Sequence, residues 1–295
     1  MSANRTGALK PTLAQRGFDG VTMLLLPAIL FVVALFIYPF LYGLVLSFQP
    51  KAGGMFANYQ RFFSDPFLYD TVGKTLWIAV PVTILNVAAS VPVALRVRLM
   101  RSPRLLTTIL VIPITLGTVL VAEGMLNYFG PRGWLNRALL EFGLSDSPIR
   151  LIHNYWGVFL SLVITGFPFT FLLTLSYVTG IDPALEQAGA MLGAKGWQRF
   201  KTIILPLLVP GLVITFCLSF VQAFSVFPSA VLLGAPAGDT RVISIAAYTA
   251  AFEEYDYAMA SAIAMIMGAV QVVIVAVMLG LQSAFYRGPA SGGKG

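Results

Sequence analysis

The 295-residue chain is 58% hydrophobic and 11% charged, with a formal net charge of +7, where an average soluble domain carries about 25% charged residues. That balance excludes an ordinary soluble domain and places the chain in a bilayer. Its nineteen basic residues are scattered among apolar runs and build no dense basic face with interleaved aromatics, so the charge reads as orientation of membrane helices and not as a nucleic-acid surface.

A helix crosses the hydrocarbon in about 20 apolar residues. In chain order, a polar leader (1–19, with Arg5, Lys10 and Arg16) precedes six such runs at 20–48, 76–95, 105–129, 155–178, 203–234 and 259–285, and a tail follows at 286–295. The first run is too long for a secretory signal and lacks a clean small-residue cleavage site after it, so it reads as a retained helix. The predicted fold is an all-α integral membrane protein with six transmembrane helices. Lysine and arginine set the orientation. With the N-terminus cytoplasmic, that side holds twelve basic residues, four of them in "RVRLMRSPR"; the other side holds seven, offset by eight acidic residues. Both termini are therefore expected in the cytoplasm.

Proline recurs in the spans, for example Pro39, Pro81, Pro92, Pro113, Pro168 and Pro210. Each frees a carbonyl and bends the axis, which suits either a bundle around a cavity or ordinary membrane-helix packing. The third span carries the one acidic residue well inside a run, Glu123, in "VLVAEGMLNYF". A charge at that depth costs about 2.5–3.5 kcal/mol on insertion scales. Glu123, with Asn127 one turn on, either faces a solute path or reaches outward to the interface or a neighbouring helix. The fourth run begins after His153, the single histidine, which together with the lone Cys217 leaves almost nothing for a metal or catalytic centre; no catalytic residue is assigned.

The segment from 179 to 202, "TGIDPALEQAGAMLGAKGWQRFKT", is the most informative loop. Asp182 can cap a helix that starts on Pro183, with Glu186 near its positive end. Leu185, Ala188 and Leu192 share a face with Met191 beside them, and Gly193 and Gly196 supply the turn that stops the helix. The result is a short helix lying across the cytoplasmic mouth. In the fifth run Ser219, Gln222, Ser225 and Ser229 form one polar stripe, either cavity wall or interhelix seam. Phe224 and Phe227 read as packing. Before the sixth run, "FEEYDYAMA" sets Glu253, Glu254 and Asp256 among tyrosines, as a solvated loop or as an acidic rim for a cationic solute or a basic protein.

The stretch "QAGAMLGAKGWQRFKTIILP" resembles the EAA loop of permease subunits of binding-protein-dependent ABC importers. Gly193, Ile203, Leu205 and Pro206 stand at the motif's intervals. Gln187 stands where the family has Glu, Gly189 replaces the second Ala, and Glu186 lies one residue early. The six-span layout, the basic turn after the second span and "GPRGWLNRALLEFGL" are similar to the spermidine/putrescine-type branch. The resemblance covers about residues 25–281 and implies the type I ABC importer fold, with a cytoplasmic coupling helix. It implies docking on a cytoplasmic ATPase through Glu186, Gln187, Ala188, Gly189 and Gly193, flanked by Lys195, Trp197 and Arg199. It further implies two ATPase subunits, a second permease (a related chain or a second copy), an external solute-binding protein, and the bacterial cytoplasmic (inner) membrane as location.

ATP and magnesium would sit on the partner. This chain has no Gly-x-x-x-x-Gly-Lys-[Ser/Thr], and its terminal "SGGKG" lies in the tail, outside the strand-to-helix setting that a phosphate loop needs. The expected function is import of a small polar solute by alternating access, with a polyamine-like cation favoured through Glu123 and sugar, phosphonate-type or iron solutes as alternatives. The candidate path is Glu123, Asn127, Ser219, Gln222, Ser225 and Ser229. A proton-coupled secondary transporter would leave inverted repeats and more intramembrane ionisable groups. An intramembrane enzyme would need a His-Glu-x-x-His or Ser/His/Asp set. The chain shows none of these.

Overall fold

The computed structural model describes residues 24–285; the expected leader, the first residues of the first span and the tail lie outside them. Among the described residues six helices are long and apolar enough to cross a membrane. The first, α1 (Leu26–Ser47), contains a wider π turn at Val33–Ile37 just before Pro39. A proline ring crowds the carbonyl four residues back, and the extra residue in the turn gives it room. Helix α1 buries only Ser47. A short helix α2 (Ala57–Ser64) follows and hangs on α1 through Asn58 Nδ2 donating to Ser47 O at 3.0 Å.

The second span, α3 (Pro66–Arg98), begins ten residues before the apolar run at 76–95. Its start is chemical rather than hydropathic. Asp65 accepts from Phe67 N at 2.9 Å with Pro66 at the first position, and Asp70 and Lys74 pair at 2.9 Å along the exposed first turns. Pro81 removes the amide that Trp77 O would have taken; the Tyr155 hydroxyl donates to that carbonyl at 3.2 Å.

Span α4 (Arg104–Phe129) is two helices joined at Gly117, whose φ of 74° and ψ of 162° are not helical. The short helix α5 (Trp134–Glu141) then folds over the end of α4, held by Asn136, which donates to Gly130 O at 2.9 Å and accepts from Ile149 N at 2.8 Å.

Span α6 (Tyr155–Thr179) starts on the Asn154 cap. It is followed by α7 (Pro183–Met191) and by α8 (Gly196–Phe224), which carries a second π turn at Phe200–Ile204 before Pro206. The fifth run does not continue unbroken to 234, as hydropathy alone suggests. The helix ends at Phe224, Ser225–Phe227 leave helical geometry, and α9 (Pro228–Leu233) starts afresh on a proline. Helix α10 (Ile243–Tyr248) and the last span α11 (Tyr257–Phe285) complete the described residues.

Alternation of the spans puts α7 and the α3–α4 turn on one face, and α2, α5, α9 and α10 on the far face. Helices α3, α6 and α8 form the centre. Toward the far face Phe62, Ile78, Val158, Phe220, Phe224 and Ile263 pack together; toward the α7 face Val91, Val97, Phe171, Val178, Ile204 and Leu208 do. Alongside these clusters the helices are joined by buried hydroxyl pairs, Ser90 with Thr174 at 2.7 Å, and Thr170 with Ser219 and Ser161 with Ser229 at 2.8 Å. In lipid there is no water-driven attraction between helices, so small polar pairs of this kind supply specificity of about 0.6–2 kcal/mol each.

Candidate functional site

Helix α7 begins as its sequence suggests, with Asp182 Oδ1 accepting from Ala184 N at 2.8 Å and Pro183 at the first position. It ends in a Schellman turn. Gly193 takes φ 81°, its amide donates to Ala190 O at 3.0 Å, and Ala194 N donates to Gly189 O at 3.0 Å. Gly196 is not part of this stop; it opens α8 behind Lys195.

Three of the residues expected on a docking surface turn inward. Gly189 is buried, and a β-carbon there would stand 2.7 Å from Ile203 Cδ1 and 3.4 Å from Arg199 Cγ. It is the crossing point of α7 on α8, where only a small residue fits. The Glu186 carboxylate accepts from Arg98 Nη1 at 2.8 Å, and its main-chain carbonyl accepts from Arg199 Nη1 at 3.4 Å.

Gln187, Ala188, Gly193, Lys195 and Trp197 do face outward. Beside them lie two residues absent from the sequence-derived set, Met191 and Leu192, 90% and 89% exposed. The signal for them was the apolar run "AML" at the end of a helix outside the apolar spans. Arg98 was also missed, since a positive-charge count treats it as one more basic residue in a turn.

In the centre a cavity of about 150 Å³ is bordered by Asn86, Thr118, Thr165, Gln222 and Ser225, and also by Ser219 and Ser229. Ser219 and Ser229 each bond across to α6, so they are cavity wall and interhelix seam together. Ser225 Oγ accepts from Gln271 Nε2 at 2.8 Å. Asn86 is 2% exposed and its Oδ1 has no partner. No charged side chain lines this space.

Glu123 and Asn127 are elsewhere, on the exposed face of α4; the Asn127 amide donates to Glu123 O at 3.0 Å, and the Glu123 carboxylate forms no salt bridge among the described residues. The break at Gly117 lies next to Thr118, at the cavity edge.

A second, wider groove of about 750 Å³ runs between α1, α10 and α11 and is lined by Tyr42, Phe227, Tyr248, Phe252 and Tyr257. Phe227 borders both spaces, and its ring continues into Tyr248 and Phe252 at centroid spacings of 5.0 Å. Glu253 and Glu254 stand exposed beside it. Asp256 does not belong to that rim: it is buried, accepts from Met259 N at 3.0 Å as the cap of α11, and lies 3.6 Å from Lys51. Arg241 sits 3.5 Å from the centre of the Phe67 ring and pins the adjoining loop to the start of α3. Burial pushes its guanidinium below the ordinary range, against the opposing influence of Glu254, Asp65 and Glu253.

Residues 13–289 match the family described as "Binding-protein-dependent transport system inner membrane component". The chain is 27% identical to the sulfate transport system permease protein CysT of Escherichia coli over 93% of its own length and 96% of the relative's. It is 30% identical to the spermidine/putrescine transport system permease protein PotB of Haemophilus influenzae over 66% and 71%. A chain in the crystal structure of a bacterial alginate ABC transporter in complex with an alginate pentasaccharide-bound periplasmic protein superimposes with a TM-score of 0.81 at 21% identity, covering 94% of this chain and 99% of that one; at that identity the likeness speaks for the fold.

Proposed function

This chain belongs to the family of binding-protein-dependent transport system inner membrane components, and from that premise we propose that its α7 face is cytoplasmic and receives the stroke of an ATPase pair. The chain is the permease subunit of an ABC importer, a transport protein and not an enzyme. The excess of arginine and lysine at the α3–α4 turn and along 195–201 supports the orientation, with both termini on the cytoplasmic side of a bacterial inner membrane. Two ATPase subunits, a second permease and an external solute-binding protein complete the assembly.

The observation that carries the docking role is the pair Met191 and Leu192, almost fully exposed at the end of α7. An apolar tip held outside the membrane by a capped helix is what a groove on another protein would accept. The double substitution Met191→Asp, Leu192→Asp should leave membrane insertion intact and abolish co-purification of the ATPase. Undiminished co-purification would refute the docking surface.

The solute is a small polar one, and the reading best supported is a polyamine-like cation. The aromatic groove lined by Tyr42, Tyr248, Phe252 and Tyr257, with Glu253 and Glu254 beside it, offers ring faces and carboxylates to ammonium groups. A second reading, a compact oxyanion such as sulfate, draws on the uncharged cavity at Asn86 and Thr118, beside the start of the half-helix after Gly117. Thermal-shift titration of the cognate binding protein with spermidine, putrescine and sulfate separates the two. Stabilisation by sulfate alone would end the cation reading. Uptake into vesicles that contain this chain and no ATPase would refute the ATP-driven importer in favour of a proton-coupled one.

A further inference from the structure

We propose that Arg98 is a positioning residue that ties α7 to the end of α3, so that displacement of α7 is delivered to the second span as well as to α8. The proposal rests on α7 being the ATPase-facing element.

Helix α7 buries one residue, Gly189. So little burial cannot hold a helix rigid against a load, because most helical stability in proteins comes from packing of an apolar face. What fixes α7 instead is a set of polar contacts that meet at Glu186. Arg98, the last residue of α3, donates through Nη1 to Glu186 Oε1 and through Nη2 to Ile181 O, both at 2.8 Å. Arg199, in the first turn of α8, donates to the Glu186 carbonyl from the other side.

Among the described residues, the hydrogen bonds from α3 to the 181–192 segment are both made by Arg98. The Arg98 and Glu186 side chains are 11% and 27% exposed, so the pair is sheltered from the screening that makes open surface bridges weak. A guanidinium is a planar fork and serves two acceptors at once, which a lysine ammonium on its flexible stem does not reproduce. Beyond Arg98 the last turns of α3 are locked to α6 and α8 through Val91, Val97, Val178 and Leu208. A push on α7 therefore reaches α8 by contact at Gly189 and reaches α3 by the ion pair. The family's motif position at 187 is occupied by an exposed glutamine, and the carboxylate one residue earlier is committed inside the chain.

The test is made on the complex purified through this chain, with ATP and vanadate as the probe, so that no solute need be known. Amide exchange is compared between the nucleotide-free and vanadate-trapped states in segments 183–191 and 86–98. The wild type should change in both. In Arg98→Met the ATPase still co-purifies and 183–191 still responds, while the response of 86–98 falls about tenfold, the scale of a lost charge-assisted hydrogen bond. Arg98→Lys should be intermediate, and the swap Arg98→Glu with Glu186→Arg should restore part of the 86–98 response, since it remakes the ion pair but not the bond to Ile181 O.

An undiminished 86–98 response in Arg98→Met overturns the tether. So does a swap that assembles but restores nothing, because the role would then be structural support only. Loss of ATPase co-purification in Arg98→Met also overturns it, assigning the pair to docking while leaving the α7 reading intact. If 183–191 of the wild type does not respond to nucleotide, the α7 reading itself fails and the tether with it.

Discussion

Replacing Gly193 with alanine isolates one backbone conformation on which α7 depends. Gly193 holds φ 81°, and a β-carbon built there meets nothing within 4 Å, so the substitution adds no clash. What remains is the cost of placing an L-residue in the left-handed region, about 1–2 kcal/mol. That cost falls on the two bonds that close the helix, Gly193 N to Ala190 O and Ala194 N to Gly189 O. The open state of the last turn should become about 5- to 30-fold more populated. Amide exchange of the purified chain reads this directly, as faster exchange at 193 and 194 by that factor. Gly193→Asn should show a smaller effect, because asparagine tolerates the left-handed region. Gly196→Ala is the control: its backbone is ordinary and the site is equally open, so exchange should not rise. If Gly193→Ala and Gly196→Ala exchange alike, the turn is not what ends α7 and the reasoning is wrong.

Three further outcomes follow from the same geometry. Gly189→Val should raise exchange throughout 183–191, because a branched side chain cannot share the space held by Ile203 Cδ1; Gly189→Ala should be nearly neutral, since the flexible end of Ile203 can give way, and equal effects would refute the close-crossing role. Ser161→Ala and Ser229→Ala should each lower the detergent melting stability by about 0.6–2 kcal/mol, and the double variant should cost less than their sum, as expected for partners in one hydrogen bond; strict additivity would show that the pair does not interact. Glu123→Gln should weaken ATP-driven uptake of spermidine and leave melting stability unchanged, because the carboxylate is exposed and forms no salt bridge among the described residues; unaltered spermidine uptake in a system shown to carry it would remove Glu123 from the path.

The fold class was legible because six apolar runs of membrane length dominate the chain, and Asp182–Pro183 and Gly193 announced the start and stop of α7 through short-range chemistry. Hydropathy was a poorer guide to where helices begin and break. It placed the start of the second span inside α3, because Asp70 and Lys74 look like loop residues until their mutual pairing is seen. It ran the fifth span across Ser225–Phe227, because a break between apolar residues changes no average. The π turns before Pro39 and Pro206 and the left-handed Gly117 leave no composition signal. Side-chain direction was hardest: Glu186 sits in the expected motif, yet whether it faces a partner or Arg98 depends on where α3 ends, a relation between residues 88 apart. The polar stripe at 219–229 was visible as a stripe, whereas its double use as wall and seam needed the hydroxyls of α6.

The discontinuity at Gly117 has a bearing on leakage. Interrupting a helix part-way along a span leaves amides of the following turn without carbonyls of their own, and such groups persist in a bilayer only where protein or solvent reaches them. Thr118, at that point, borders the central cavity, and water entering that space is one way such amides would be satisfied. Insulation against stray protons and ions would then rest on Phe227, the aromatic side chain that borders both spaces.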